Sequence, residues 1–82
     1  MKNINYQANY SKEYIRALKI LTPKEIEILE KVSLGNTNSE IAKDLYLSKR
    51  TIEKHRENMC KKLRIKGYRS LFHWCQVNMH NF

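Results

Sequence analysis

Two glycines and one proline in 82 residues leave few places where the chain can turn sharply. That scarcity excludes a turn-rich β architecture and a disordered linker, and favours helices joined by short connections. Cysteine is sparse too: Cys60 and Cys75 fit a reducing compartment better than a disulfide framework. No apolar run approaches ~20 residues, and there is no apolar segment of signal-peptide type, so the chain reads as cytoplasmic. A glycine-rich phosphate loop is missing, as is any recognisable pairing of nucleophile and base, and an enzyme reading has almost no support. His73, Cys75 and His80 imitate a metal cluster, but their spacing matches no standard zinc pattern, so no metal and no cofactor are expected. Cys60, although followed by Lys61 and Lys62, reads as a structural thiol.

The length allows one domain. Such a chain buries only roughly 60–65% of the surface its unfolded form exposes, which leaves little room for a deep substrate pocket.

What is present is positive charge, unevenly placed. Sixteen Lys and Arg oppose eight Asp and Glu, a net charge of +8. Residues 49–69 hold nine of the bases and two acids, Glu53 and Glu57, whereas residues 1–48 are nearly balanced. A concentrated positive field attracts polyanions, of which nucleic acid is the commonest; the plainer alternative is a solvated basic face.

Residues 1–10 are polar and show little sign of a packed element. Ser11 is placed to cap a short helix to about Lys19, with Tyr10, Tyr14, Leu18 and Leu21 on one stripe and Tyr6 one turn earlier. Thr22-Pro23-Lys24-Glu25 is a capping box with proline at the first helical position, and Leu21 and Ile26 form its hydrophobic staple. The helix that follows presents Ile26, Leu29 and Val32 inward and ends near Leu34, where Gly35 suits a left-handed stop. Thr37-Asn38-Ser39-Glu40 repeats the box and opens a short helix burying Ile41, Ala42 and Leu45. Tyr46 and Leu47 make a turn, and Ser48 caps a helix from Lys49 to Leu63 with Ile52, Met59 and Leu63 inward. After an interruption over Arg64–Gly67, a last helix is expected from about Tyr68 to Asn78.

Two helices crossing steeply through a short turn need a small residue at their contact and apolar residues that lock the angle. Ala42 is the small residue; Ile41, Leu45, Leu47 and Ile52 are the lock. Tyr46 stands where such motifs often carry glycine, and fits if the turn demands no positive φ. Leu21-Thr22-Pro23-Lys24-Glu25, Gly35 to Ala42, Leu47 to Ile52, then His55, Asn58-Met59 and Lys62-Leu63 together resemble the LuxR-type helix-turn-helix family over about residues 21–75. The resemblance implies an all-α fold: a four-helix bundle over residues 21–79, with residues 1–20 an extension carrying a short extra helix. It implies sequence-specific binding of double-stranded DNA by a bacterial transcription regulator, with the helix of about residues 49–63 in the major groove. It also implies a last helix that pairs two subunits into a homodimer on a two-fold site.

The residues support that role independently. No Glu or Gln stands three residues after Ser48 to close a capping box, so the early amides of that helix, with Lys49 and Arg50 beside them, suit a phosphate. By the resemblance, Glu53, Lys54 and Glu57 match positions that face bases: lysine can donate to guanine, and glutamate can accept from cytosine. Both glutamates depart from the basic residues often found there. Ser48, Lys49, Arg50, Thr51, His55, Lys61 and Lys62 are the phosphate candidates, His55 alternatively packing at the helix edge. Leu71, Phe72, Trp74 and Cys75 are the dimer candidates, or else they complete the core.

Twenty residues are too few for the receiver or ligand-binding domain that family members carry in front. A chain that truly starts at residue 1 would then be regulated by its amount, by dimerisation or by a partner protein; a fragment would not. Two other readings remain open: a promoter-recognition domain like that of a sigma factor, and a helical adaptor that uses the fold to bind protein in place of DNA.

Overall fold

Four hydroxyls start four helices in the computed structural model, which describes residues 11–67 and 69–79. Ser11, Thr22, Thr37 and Ser48 each sit in extended backbone and accept the amide three residues on, from Tyr14, Glu25, Glu40 and Thr51. They open α1 (Lys12–Ile20), α2 (Pro23–Ser33), α3 (Asn38–Leu45) and α4 (Lys49–Leu63), and α5 (Ser70–Met79) completes the bundle; the described residues contain no strand. Both capping boxes form, with Glu25 and Glu40 each accepting the amide of its own cap residue at 2.8 Å. The all-α expectation holds, extra N-terminal helix included. Tyr6, Tyr10, His80 and the expected helix start at Tyr68 lie outside the described residues.

The stops of α2, α3 and α4 are left-handed, whereas α1 ends at Leu21 in extended backbone. Gly35 takes φ 87° after α2, as anticipated. Tyr46 ends α3 at φ 57°, so the turn does demand a positive φ, contrary to the condition under which a tyrosine fits easily. Its amide bonds the Ala42 and Lys43 carbonyls, and this closing of the last turn holds the residue in a conformation that a Cβ disfavours. Its side chain is 95% exposed.

The core draws on every helix. Ala17 and Leu21 come from α1 and its end, Ile28, Leu29 and Val32 from α2, Ile41 and Ala42 from α3, Ile52 and Met59 from α4. Full burial of an Ile, Leu or Met contributes about 1.5–3 kcal/mol, so these few residues supply most of the favourable free energy in so short a chain. Three expectations change. Leu18 is 41% exposed, and Ala17 beside it is the fully buried residue of α1. Ile28 belongs to the core although the periodicity of α2 had placed only its neighbours there. Ile26, Leu45 and Leu63 flank the core half-buried.

Leu71, Trp74 and Cys75 of α5 are 2%, 8% and 0% exposed within this single chain. They complete its core against α2. Of the four dimer candidates Phe72 alone stays half-buried, while Val77, not singled out before, is 55% exposed.

Polar contacts fix the angles. Lys31 Nζ meets Asp44 Oδ2 at 2.9 Å between α2 and α3, and Arg56 donates to Asn38 Oδ1 at 2.8 Å between α4 and α3. Ser11 Oγ donates to Asn78 Oδ1 at 2.9 Å, joining the start of α1 to the end of α5. No described helix is long and apolar enough to cross a membrane.

Candidate nucleic-acid interface

Helix α4 is held by one face and bare on the other. Ile52 and Met59 are fully buried, α3 packs against α4, and Ala42, the small residue of the motif, is buried in the same core. Opposite them Lys49, Arg50, Glu53, Lys54, Glu57 and Lys61 are exposed, and Thr51 and His55 lie half-buried at the margin. Arg50, Thr51, Glu53, Lys54 and Glu57 line one concave patch, so the base-facing candidates and two of the phosphate candidates share a surface. Lys54 Nζ approaches Glu57 Oε1 at 3.5 Å along the helix; both side chains are well solvated and the pair is weak.

The first turn of α4 differs from those of α2 and α3. Each of those contains a glutamate that closes its capping box; α4 has no acid in its first turn. Thr51 stands at the equivalent place and pairs its hydroxyl with Ser48 Oγ at 2.9 Å. The positive end of the α4 dipole therefore carries two cations, Lys49 and Arg50, and no carboxylate to neutralise it.

Lys62 is the exception among the phosphate candidates. Its ammonium lies 2.8 Å from Glu25 Oε1, on the side of α4 that faces α2. Glu25 is buried, a role its exposed-looking place in a capping box did not announce. Burial is the largest single influence on its carboxyl and pushes the pKa up. The Lys62 hydrogen bond, the Thr22 amide, the Lys62 charge and the Thr22 hydroxyl together outweigh it, so the pKa lies below the ordinary 4.5. Lys62 thus ties α4 to α2, although its side chain stays 38% exposed.

A groove of about 500 Å³ runs along the other flank of α4, where Glu53, Arg56 and Glu57 face Asn36, Asn38 and Arg69. The described residues gather no group of three or more His, Cys, Asp or Glu suited to a metal ion.

This arrangement defines a class: a helix-turn-helix module that carries an exposed second helix. Residues 19–75 match the model of the family described as bacterial regulatory proteins, luxR family, and the chain belongs to that family. It is 37% identical over 60 residues to the CsgBAC operon transcriptional regulatory protein of Escherichia coli, covering 73% of this chain and 28% of that protein. To the transcriptional regulatory protein TdiR of Thauera aromatica it is 38% identical over 66 residues, covering 80% of this chain and 29% of the relative. The oxygen regulatory protein NreC of Staphylococcus carnosus is 34% identical over 67 residues, covering 82% and 30% respectively. The chain therefore spans less than a third of the length of these relatives. No solved structure matches it.

Proposed function

We propose that this chain acts in the cytoplasm as a transcription regulator that binds duplex DNA sequence-specifically by laying α4 in the major groove. The observation that carries the reading is the bare face of α4, with bases and acids mixed on one concave patch beside a cationic first turn that holds no carboxylate. Purely electrostatic binding needs only the cations; Glu53 and Glu57 weaken attraction to phosphates and suit discrimination between base edges. Lys54 donates to guanine O6 or N7, and Glu53 and Glu57 accept from cytosine N4. Ser48, Lys49, Arg50, Thr51, His55 and Lys61 hold the phosphates on either side.

The regulator pairs as a homodimer through the outer side of α5, where Phe72 and Val77 remain at the surface. Paired domains read half-sites about one helical turn apart. A regulatory protein partner, or a further domain like those that fill out the longer relatives, would set its activity.

Selection of binding sequences from random duplex DNA, at low and at near-physiological salt, tests both parts. A two-fold motif that survives the higher salt is the expected result. One half-site would remove the dimer and keep the function. Binding that vanishes with salt and leaves no motif would overturn sequence-specific regulation.

A further inference from the structure

We infer that the connector between α4 and α5 is a second phosphate-gripping patch, in which Arg64, Lys66 and Arg69 hold the DNA backbone beyond the far end of α4. The inference rests on α4 being the DNA-reading helix and adds three contacts to it.

Backbone conformation is the first ground. Arg64 takes φ 59° and Arg69 takes φ 71°, in the left-handed region where a Cβ is disfavoured and glycine is not. The same protein uses glycine at two other positive-φ positions, Gly35 and Gly67, the latter within this very connector. Arginine is retained where glycine would fit better, and a strained position kept by a charged, exposed residue points to work done by its side chain. Arg64 is held firmly, its amide bonded to the Cys60 and Lys61 carbonyls as the stop of α4.

Charge is the second ground. Arg64, Lys66 and Arg69 are all exposed, and no carboxylate of the described residues engages them. Lys54 and Lys62, by contrast, have Glu57 and Glu25.

Reach is the third. With 15 residues, α4 is about 22 Å long at ~1.5 Å per residue, whereas the major groove is ~12 Å wide. With the cationic first turn on one strand's phosphates, the other end of the helix lies past the groove, at the opposite backbone. The connector also borders the reading face: Gly67 and Arg69 line the same groove as Glu53 and Glu57.

Replacing arginine by glycine separates this from a merely solvated basic loop, because it relieves the backbone and removes the charge together. The double variant Arg64→Gly/Arg69→Gly is compared with the parent chain on a duplex carrying its selected site, by fluorescence anisotropy across salt. Its thermal midpoint should rise while its affinity falls. The slope of log affinity against log salt should drop by about 0.9 for each arginine, so raising salt from ~50 to ~200 mM costs it about twelvefold less affinity than the parent. Arg64→Lys/Arg69→Lys should restore the slope. The control Lys12→Gln/Lys19→Gln removes the same charge from α1 and should leave the slope unchanged. An unaltered slope in the glycine variant, or an equal fall in the control, overturns the patch while leaving α4 as the reading helix. If the parent itself shows no salt-dependent duplex binding, the reading of α4 fails and the patch falls with it.

Discussion

Glu25 Oε1 accepts two hydrogen bonds, from the Thr22 amide and from Lys62 Nζ, each at 2.8 Å. One carboxylate oxygen thereby closes the first turn of α2 and anchors the last turn of α4, 37 residues further on.

Removing the lysine leaves a buried carboxylate without its cation. Lys62→Met should destabilise the domain by about 1–2 kcal/mol, less than the ~3–5 kcal/mol of a fully buried pair because water screens the lysine end. In the folded protein the Glu25 pKa is lowered, so its stabilisation is complete above the unfolded value near 4.5 and is lost as pH falls through the folded value. In Lys62→Met the folded-state pKa moves back up towards the unfolded value, so that acid-side loss should shrink, which urea titrations at several pH values would reveal. The salt slope of DNA binding should stay as in the parent; a fall would return Lys62 to the phosphates.

Ser48 offers two substitutions with different consequences. Ser48→Ala removes the cap and should cost about 1 kcal/mol of stability, with weaker DNA binding. Ser48→Asp keeps a good cap but sets a carboxylate where a phosphate is to dock, so stability should hold while duplex binding collapses. Equal binding by the aspartate variant and the parent would remove the α4 N-terminus from the interface.

Tyr46 is strained and touches little. Tyr46→Gly should stabilise the domain by about 0.5–1 kcal/mol, the relief of the left-handed backbone exceeding the added freedom of the unfolded chain. Chemical denaturation checks this. A loss of stability would mean that the phenol packs more than its 95% exposure indicates.

The two thiols should differ in reactivity. Burial pushes the Cys75 thiol up to about 12, only partly opposed by the charge of Arg56, and its Sγ lies 3.8 Å from the Leu29 carbonyl oxygen. Cys60 is half-buried. At pH 8 an alkylating reagent should label Cys60 in the folded protein and Cys75 only after unfolding. Mass spectrometry that finds Cys75 modified first would contradict its place in the core.

Local features were readable in advance. The Thr22/Glu25 and Thr37/Glu40 boxes span three residues each, and so do the caps at Ser11 and Ser48; nothing distant was needed to place the starts of α1 to α4. The bare face of α4 followed equally from the period of Ile52 and Met59. What escaped was set by contacts across the chain. Ala17 is buried where Leu18 was expected, and a stripe drawn on one helix contains no information about where its neighbours lie. Lys62 looked like any basic residue near Lys61 until the fold brought Glu25 to it. Leu71, Trp74 and Cys75 read equally well as core or as dimer face, since both are apolar; only the position of α2 decides. Tyr46 in a glycine's place was noticed, but its φ depends on how α3 meets α4. Arg64 and Arg69 were counted as charge, their left-handed backbone being invisible in composition.

The Ser11–Asn78 hydrogen bond closes a loop of 67 residues, nearly the whole described chain. Contacts of such long separation are penalised by loop-closure entropy until the intervening helices have collapsed, so this one is expected to form after the rate-limiting step. Its loss acts on the way out of the native state: Ser11→Ala or Asn78→Ala should speed unfolding and leave the folding rate nearly unchanged. On that expectation the contact between the start of α1 and the end of α5 is a latch on the lifetime of the folded domain, with no part in how quickly that domain is reached.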